Sequence, residues 1–142
     1  MKIDLNLCFP QLKEFIFHEE TIKNVSICTV YNYYRDLILF FKYIKSIKKE
    51  TSTNDKIENT DITDIDTKFL SSITYEEIEQ YFFYLKSVKN NNAATRKRRV
   101  ISLRNFFRFL NLTVEVIDSD PTKKLVTPKL NKSLPKFMLE EE

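Results

Sequence analysis

The stretch Ser26-Ile27-Cys28-Thr29-Val30-Tyr31-Asn32-Tyr33-Tyr34-Arg35-Asp36-Leu37-Ile38-Leu39-Phe40-Phe41-Lys42-Tyr43-Ile44 decides the fold. Val30, Tyr33, Leu37, Phe40, Phe41 and Ile44 recur at i, i+3, i+7, i+10, i+11 and i+14, which lays one apolar stripe along a helix over 27–48. Ser26 can cap its first turn, and Lys45, Lys48 and Lys49 end it where the helix dipole favours cations. Cys28, Asn32, Arg35, Leu39 and Lys42 fall opposite the stripe. Three weaker patterns surround it. Leu12, Phe15 and Ile16 mark a helix over 10–22 that starts on Pro10. Thr74 and Glu77 form a capping-box pair for a helix over 75–89, with Ile78, Phe82, Leu85 and Val88 on its buried face. Val100, Leu103, Phe107 and Leu110 mark a helix over 93–110, separated from the previous one by Asn90-Asn91-Asn92. No stretch alternates apolar and polar residues long enough to demand a strand. The expected fold is an all-α orthogonal bundle of four main helices, with room for a short fifth near 114–117 and a basic extended linker after it.

The chain's 142 residues suffice for one core. It has no glycine, which argues against a phosphate-cradling Gly-rich loop or a Rossmann turn. One histidine, His18, and two cysteines, Cys8 and Cys28, do not make a zinc site without unusual help, so no metal or other cofactor is expected. His18 is also the only imidazole available to activate a nucleophile, and a surface role for it is the commoner one. Paired acids such as Glu19-Glu20 show no sign of sharing a cleft. No catalytic residue is assigned. No apolar run approaches membrane-spanning length and no signal peptide is recognisable, so the expectation is a cytoplasmic protein without membrane contact.

Charge is segregated along the chain. Residues 50–80 hold nine acids against two bases, a local net charge of −7. Within them, 50–67 is polar and poor in aromatics and reads as a solvated acidic loop. Residues 93–110 hold Arg96, Lys97, Arg98, Arg99, Arg104 and Arg108 and no acid, a local +6. Arg98 projects away from the apolar stripe with Thr95, Ser102 and Asn105 near it in angle, a mixture suited to phosphates and base edges. Arg104 borders the core instead, where it could brace Asp36. A charge run is also commonly just a solvated face, and composition alone does not separate the two.

Three segments in order carry a resemblance. Thr29-Val30-Tyr31-Asn32-Tyr33-Tyr34-Arg35-Asp36-Leu37, with Phe40 and Tyr43 after it, resembles a helix in the amino-terminal, core-binding (SAM-like) domain of tyrosine recombinases of the Xer and phage-integrase kind. Ala94-Thr95 through Arg98, then Leu103-Arg104, Phe106-Phe107 and Phe109-Leu110, resembles a second helix of that domain. Asp120-Pro121, Pro128-Lys129-Leu130 and Leu134-Pro135-Lys136 resemble its interdomain linker. The resemblance implies a core-binding domain over 1–120 and, over 121–142, a linker reaching the start of a catalytic domain at Glu140-Glu141-Glu142. The family's catalytic residues lie in that second domain, so the resemblance implies no enzyme activity for this chain alone. It implies double-stranded DNA and other recombinase subunits as partners. Lys42, Lys97, Arg98, Arg99, Lys129 and Lys132 are then the expected phosphate contacts, and Thr29, Asn32, Arg35, Thr95 and Ser102 the candidates for reading the site. The competing expectation is a helical protein-interaction module with aromatic anchors and no DNA binding.

Overall fold

The structure, a computed structural model, describes residues 2–48 and 57–128. It is all-α, with no strand among the described residues. After a short 3-10 turn at Leu5–Leu7, the helices are α1 (Pro10–Phe17), α2 (Ile27–Lys48), α3 (Thr67–Ser71), α4 (Tyr75–Ser87) and α5 (Ala93–Arg108). Helix α2 is the spine, packed chiefly against α5 and also against α4. The expected caps are present. Ser26 Oγ accepts from the Thr29 amide at 3.3 Å, and Thr74 and Glu77 close a reciprocal capping box. Asn92 Oδ1 accepts from the Thr95 amide at 2.9 Å, starting α5.

The core is aromatic. Phe106 of α5 sits edge-on to Phe9, Phe15 and Phe41, with centroids 6.1, 5.2 and 5.5 Å away. Phe40 stands edge-on to Tyr81 of α4 at 5.0 Å. Edge-to-face pairs set the positive ring edge against the negative face, adding roughly 0.5–1.5 kcal/mol each beyond area burial. No described helix is long and apolar enough to cross a membrane.

Three helices end alike. After α1, α4 and α5 the chain reverses through a left-handed residue: Asn24 (φ 55°), Asn90 (φ 59°) and Glu115 (φ 54°). Beyond each, an amide reaches back to a helical carbonyl: Val25 to Glu19, Asn91 to Leu85 and Val116 to Leu110. Glycine is the usual occupant of such positions, and asparagine is its best substitute. This reversal replaces the short fifth helix expected near 114–117. Ile117 is buried instead, and its carbonyl accepts from Asn111 Nδ2 at 3.0 Å.

The acidic segment also departs from expectation. Residues 50–56 lie outside the described residues, but the rest of the supposed solvated loop packs on the bundle. Ile62 and Ile65 are buried and α3 follows at once. Three α2 lysines hold this stretch and the turn after it. Lys42 Nζ donates to the Glu58 carbonyl at 2.8 Å, and Lys45 bonds the Asp61 carbonyl and the Asp64 carboxylate. Lys48 pairs with Glu77 at 2.8 Å and donates to the Ser72 carbonyl. Sparse isoleucines among acids gave too weak a periodicity to announce this packing.

Candidate nucleic-acid interface

Helices α2 and α5 meet over one carboxylate. Asp36 is 2% exposed, too buried to be left charged without partners. Its Oδ1 accepts from Arg98 Nη2 at 2.7 Å and Arg99 Nη1 at 3.2 Å. Its Oδ2 accepts from Ser102 Oγ at 2.7 Å and Arg98 Nε at 3.2 Å. One turn further along, Asn105 Nδ2 donates to Tyr33 Oη at 2.9 Å. The polar row Arg98, Ser102, Asn105 is therefore the seam against α2 rather than the free face of α5.

This corrects several expectations. Ser102 is fully buried and its hydroxyl is committed to Asp36, so it does not face a ligand. Arg99, with a side chain 14% exposed, is mostly structural. Arg98 rather than Arg104 braces Asp36, although its side chain stays 41% exposed. Arg104 instead donates to the Leu125 carbonyl, tying down the chain after the Pro121–Lys124 turn. Lys42 is committed to Glu58.

The other candidates lie as follows. Arg35 is exposed and its guanidinium carbon lies 5.8 Å from the Tyr31 ring centroid. Asn32 is half-buried, and the Thr29 hydroxyl accepts from Ser26 Oγ at 3.0 Å. Thr95 and Lys97 are half-buried in the first turns of α5. Lys129 and Lys132 lie outside the described residues.

With the seam identified, the outward stripe of α5 is Ala94, Lys97, Ile101, Arg104 and Arg108, at i, i+3, i+7, i+10 and i+14. The stripe itself carries no acid and Arg98 borders it, while Asp118 and Asp120 of the following segment line the groove beside Arg104 and Arg108. Arg108 and Ile101 escape sequence reasoning, because the apolar stripe of α5 marks only one of its two buried faces. The spacing of Arg98, Ser102 and Asn105 at i, i+4, i+7 was itself a contact-stripe signal, readable only with a buried partner such as Asp36 in mind. Chemically, this face offers cations and two exposed aliphatic side chains, Ala94 and Ile101. Among the described residues no cluster of His, Cys, Asp and Glu could hold a metal.

The chain is 32% identical over 133 residues to tyrosine recombinase XerC of Caldanaerobacter subterraneus subsp. tengcongensis, covering 94% of this chain and 38% of the relative. It is 32% identical to tyrosine recombinase XerC of Chlorobaculum tepidum, covering 92% of this chain and 35% of the relative. With tyrosine recombinase XerD of Oceanobacillus iheyensis the identity is 28%, over 92% of this chain and 38% of the relative. The chain thus spans a little over a third of the length of these curated relatives. No family model and no solved structure matches it.

Proposed function

Because the curated homologues of this chain are XerC and XerD tyrosine recombinases, we propose that it is a core-binding domain that clasps duplex DNA at a recombination half-site. The observation that carries this reading is the acid-free outward stripe of α5, with the half-exposed Arg98 on its border. A helix face of this kind fits the major groove, with Lys97, Arg98 and Arg108 at phosphates and Ile101 at a thymine methyl. Arg35, Asn32, Thr29 and Thr95, at the amino-terminal ends of α2 and α5, extend the contact. In this reading residues 1–120 are the binding domain. Residues 121–142, with Lys129 and Lys132, lead across the backbone to a catalytic domain that cuts and rejoins strands. Other recombinase subunits assembled on the same DNA are its protein partners.

Counterion release supplies the test. If about five cations meet phosphates, log K falls against log salt with a slope of ~−4.5, at ~0.9 per phosphate. Duplex binding with a slope near zero, or no binding at low salt, refutes the reading. The same chain forms no covalent adduct with a nicked suicide half-site if strand chemistry belongs to another domain.

A protein-docking reading is favoured by Phe83 of α4, 72% exposed beside Glu76 and Glu79, and by Val88 at the end of that helix, which is 69% exposed rather than on the buried face as the periodicity predicts. It predicts salt-insensitive capture of a protein partner and no affinity for duplex.

A further inference from the structure

We propose that Asp36 is a positioning residue that builds a phosphate seat at the α2–α5 crossing, fixing Arg98 so that its remaining guanidinium edge meets a DNA backbone phosphate. The inference rests on the duplex-binding reading and adds the device that makes one contact rigid. Arg98 spends Nε and Nη2 on the carboxylate, which leaves Nη1 without a partner among the described residues. Two guanidiniums share one carboxylate, so the joint carries a surplus of one positive charge. Arg99 is 14% exposed against 41% for Arg98, and the surplus therefore meets solvent at Arg98. An anion arriving there finds an arginine whose rotamer is already fixed from behind, so ordering that side chain does not weaken the contact. Asn32, one turn before Asp36, and Thr95, one turn before Arg98, flank the seat with neutral polar side chains.

Two physical expectations oppose each other when the charge of Asp36 is removed. Bulk electrostatics predicts tighter binding of a polyanion, because the domain gains a positive charge. Loss of positioning predicts weaker binding. Asp36→Asn keeps the shape and separates them. The affinity of the whole chain for a mixed-sequence duplex is measured by fluorescence anisotropy across a salt series, at a temperature where circular dichroism shows each variant folded.

The expected result is an approximately tenfold weaker Kd for Asp36→Asn and a salt slope shallower by about one. In an Arg98→Ala background the same substitution should change Kd less than about twofold, since the group it positions is gone. Arg98→Lys keeps the charge but cannot bridge both carboxylate oxygens, and should weaken binding similarly. It serves as the decisive variant if Asp36→Asn does not fold. Wild-type binding with Asp36→Asn equal or tighter overturns the seat while leaving the duplex reading intact. Arg98→Lys binding like wild type overturns it as well. Absence of wild-type duplex binding overturns both.

Discussion

Ser102→Ala distinguishes a buried seam from a DNA-reading face, because the two assign the same hydroxyl opposite consequences. In the structure Ser102 Oγ donates to Asp36 Oδ2 at 2.7 Å and the residue is fully buried. A hydrogen bond to a buried carboxylate contributes roughly 1.5–3 kcal/mol. Alanine's better helix propensity returns about 0.5 kcal/mol, and the lost oxygen leaves little cavity, so the net loss is about 1–2.5 kcal/mol. With an unfolding entropy of ~2.1 cal/mol/K per residue, the 142-residue chain has ~0.3 kcal/mol/K. A loss of about 2 kcal/mol then lowers Tm by roughly 7 °C. Thermal melts and urea titrations by circular dichroism measure this, with an unchanged m-value showing that only stability moved. Duplex affinity, measured well below both melting points, should change less than about twofold because the carboxylate keeps both arginines. An unchanged Tm with a large loss of affinity would show that the hydroxyl faces the ligand and that α5 is rotated from its position here.

Glu115 holds φ 54° at the reversal after α5, so Glu115→Gly should stabilise the fold by about 1 kcal/mol and Glu115→Val should destabilise it. Equal melting temperatures for the three proteins would contradict that strain. Cys28 is exposed, whereas burial pushes the Cys8 thiol up to about 11. Native protein should accordingly take up one equivalent of a thiol reagent quickly and the second only on unfolding, as mass spectrometry can show. Burial also raises the hydroxyl pKa values of Tyr81, Tyr43 and Tyr34 above the ordinary 10.0. The folded state therefore holds these protons, and that of Cys8, after the unfolded chain has lost its own. That stability is fully present below about pH 9 and is lost as pH rises toward the folded-state values. A urea midpoint that is flat from pH 8 to about pH 11 would contradict this linkage.

The helices were legible because their signals are local. Pro10, Ser26 and Thr74 with Glu77 mark starts, Asn90-Asn91-Asn92 marks a break, and the apolar period of Val30 to Ile44 fixes the spine. The interface was legible only in part. Sequence periodicity finds the face of a helix that is apolar, and α5 has a second buried face that is polar. That face owes its burial to Asp36, which lies 62 residues before Arg98 in the chain. The resemblance to tyrosine recombinases already contained Asp36 and Arg98 in separate motifs, but nothing local paired them. The 57–66 stretch was hidden for a related reason. Its backbone carbonyls and one of its acids are held by Lys42, which the resemblance places at a phosphate, and by Lys45, which in sequence reads only as a helix-end cation.

In the proposed function duplex DNA lies along the outward stripe of α5 and the amino-terminal half of α2. Backbone amide shifts of uniformly 15N-labelled protein, followed as a duplex is added at low salt, test it most directly. The largest changes should track Ala94, Lys97, Arg98, Ile101 and Arg108, with Asn32 and Arg35 beside them, and fade as salt is raised. Changes confined to Phe83 of α4 and Val88 just beyond its end, with α5 unmoved, would contradict it.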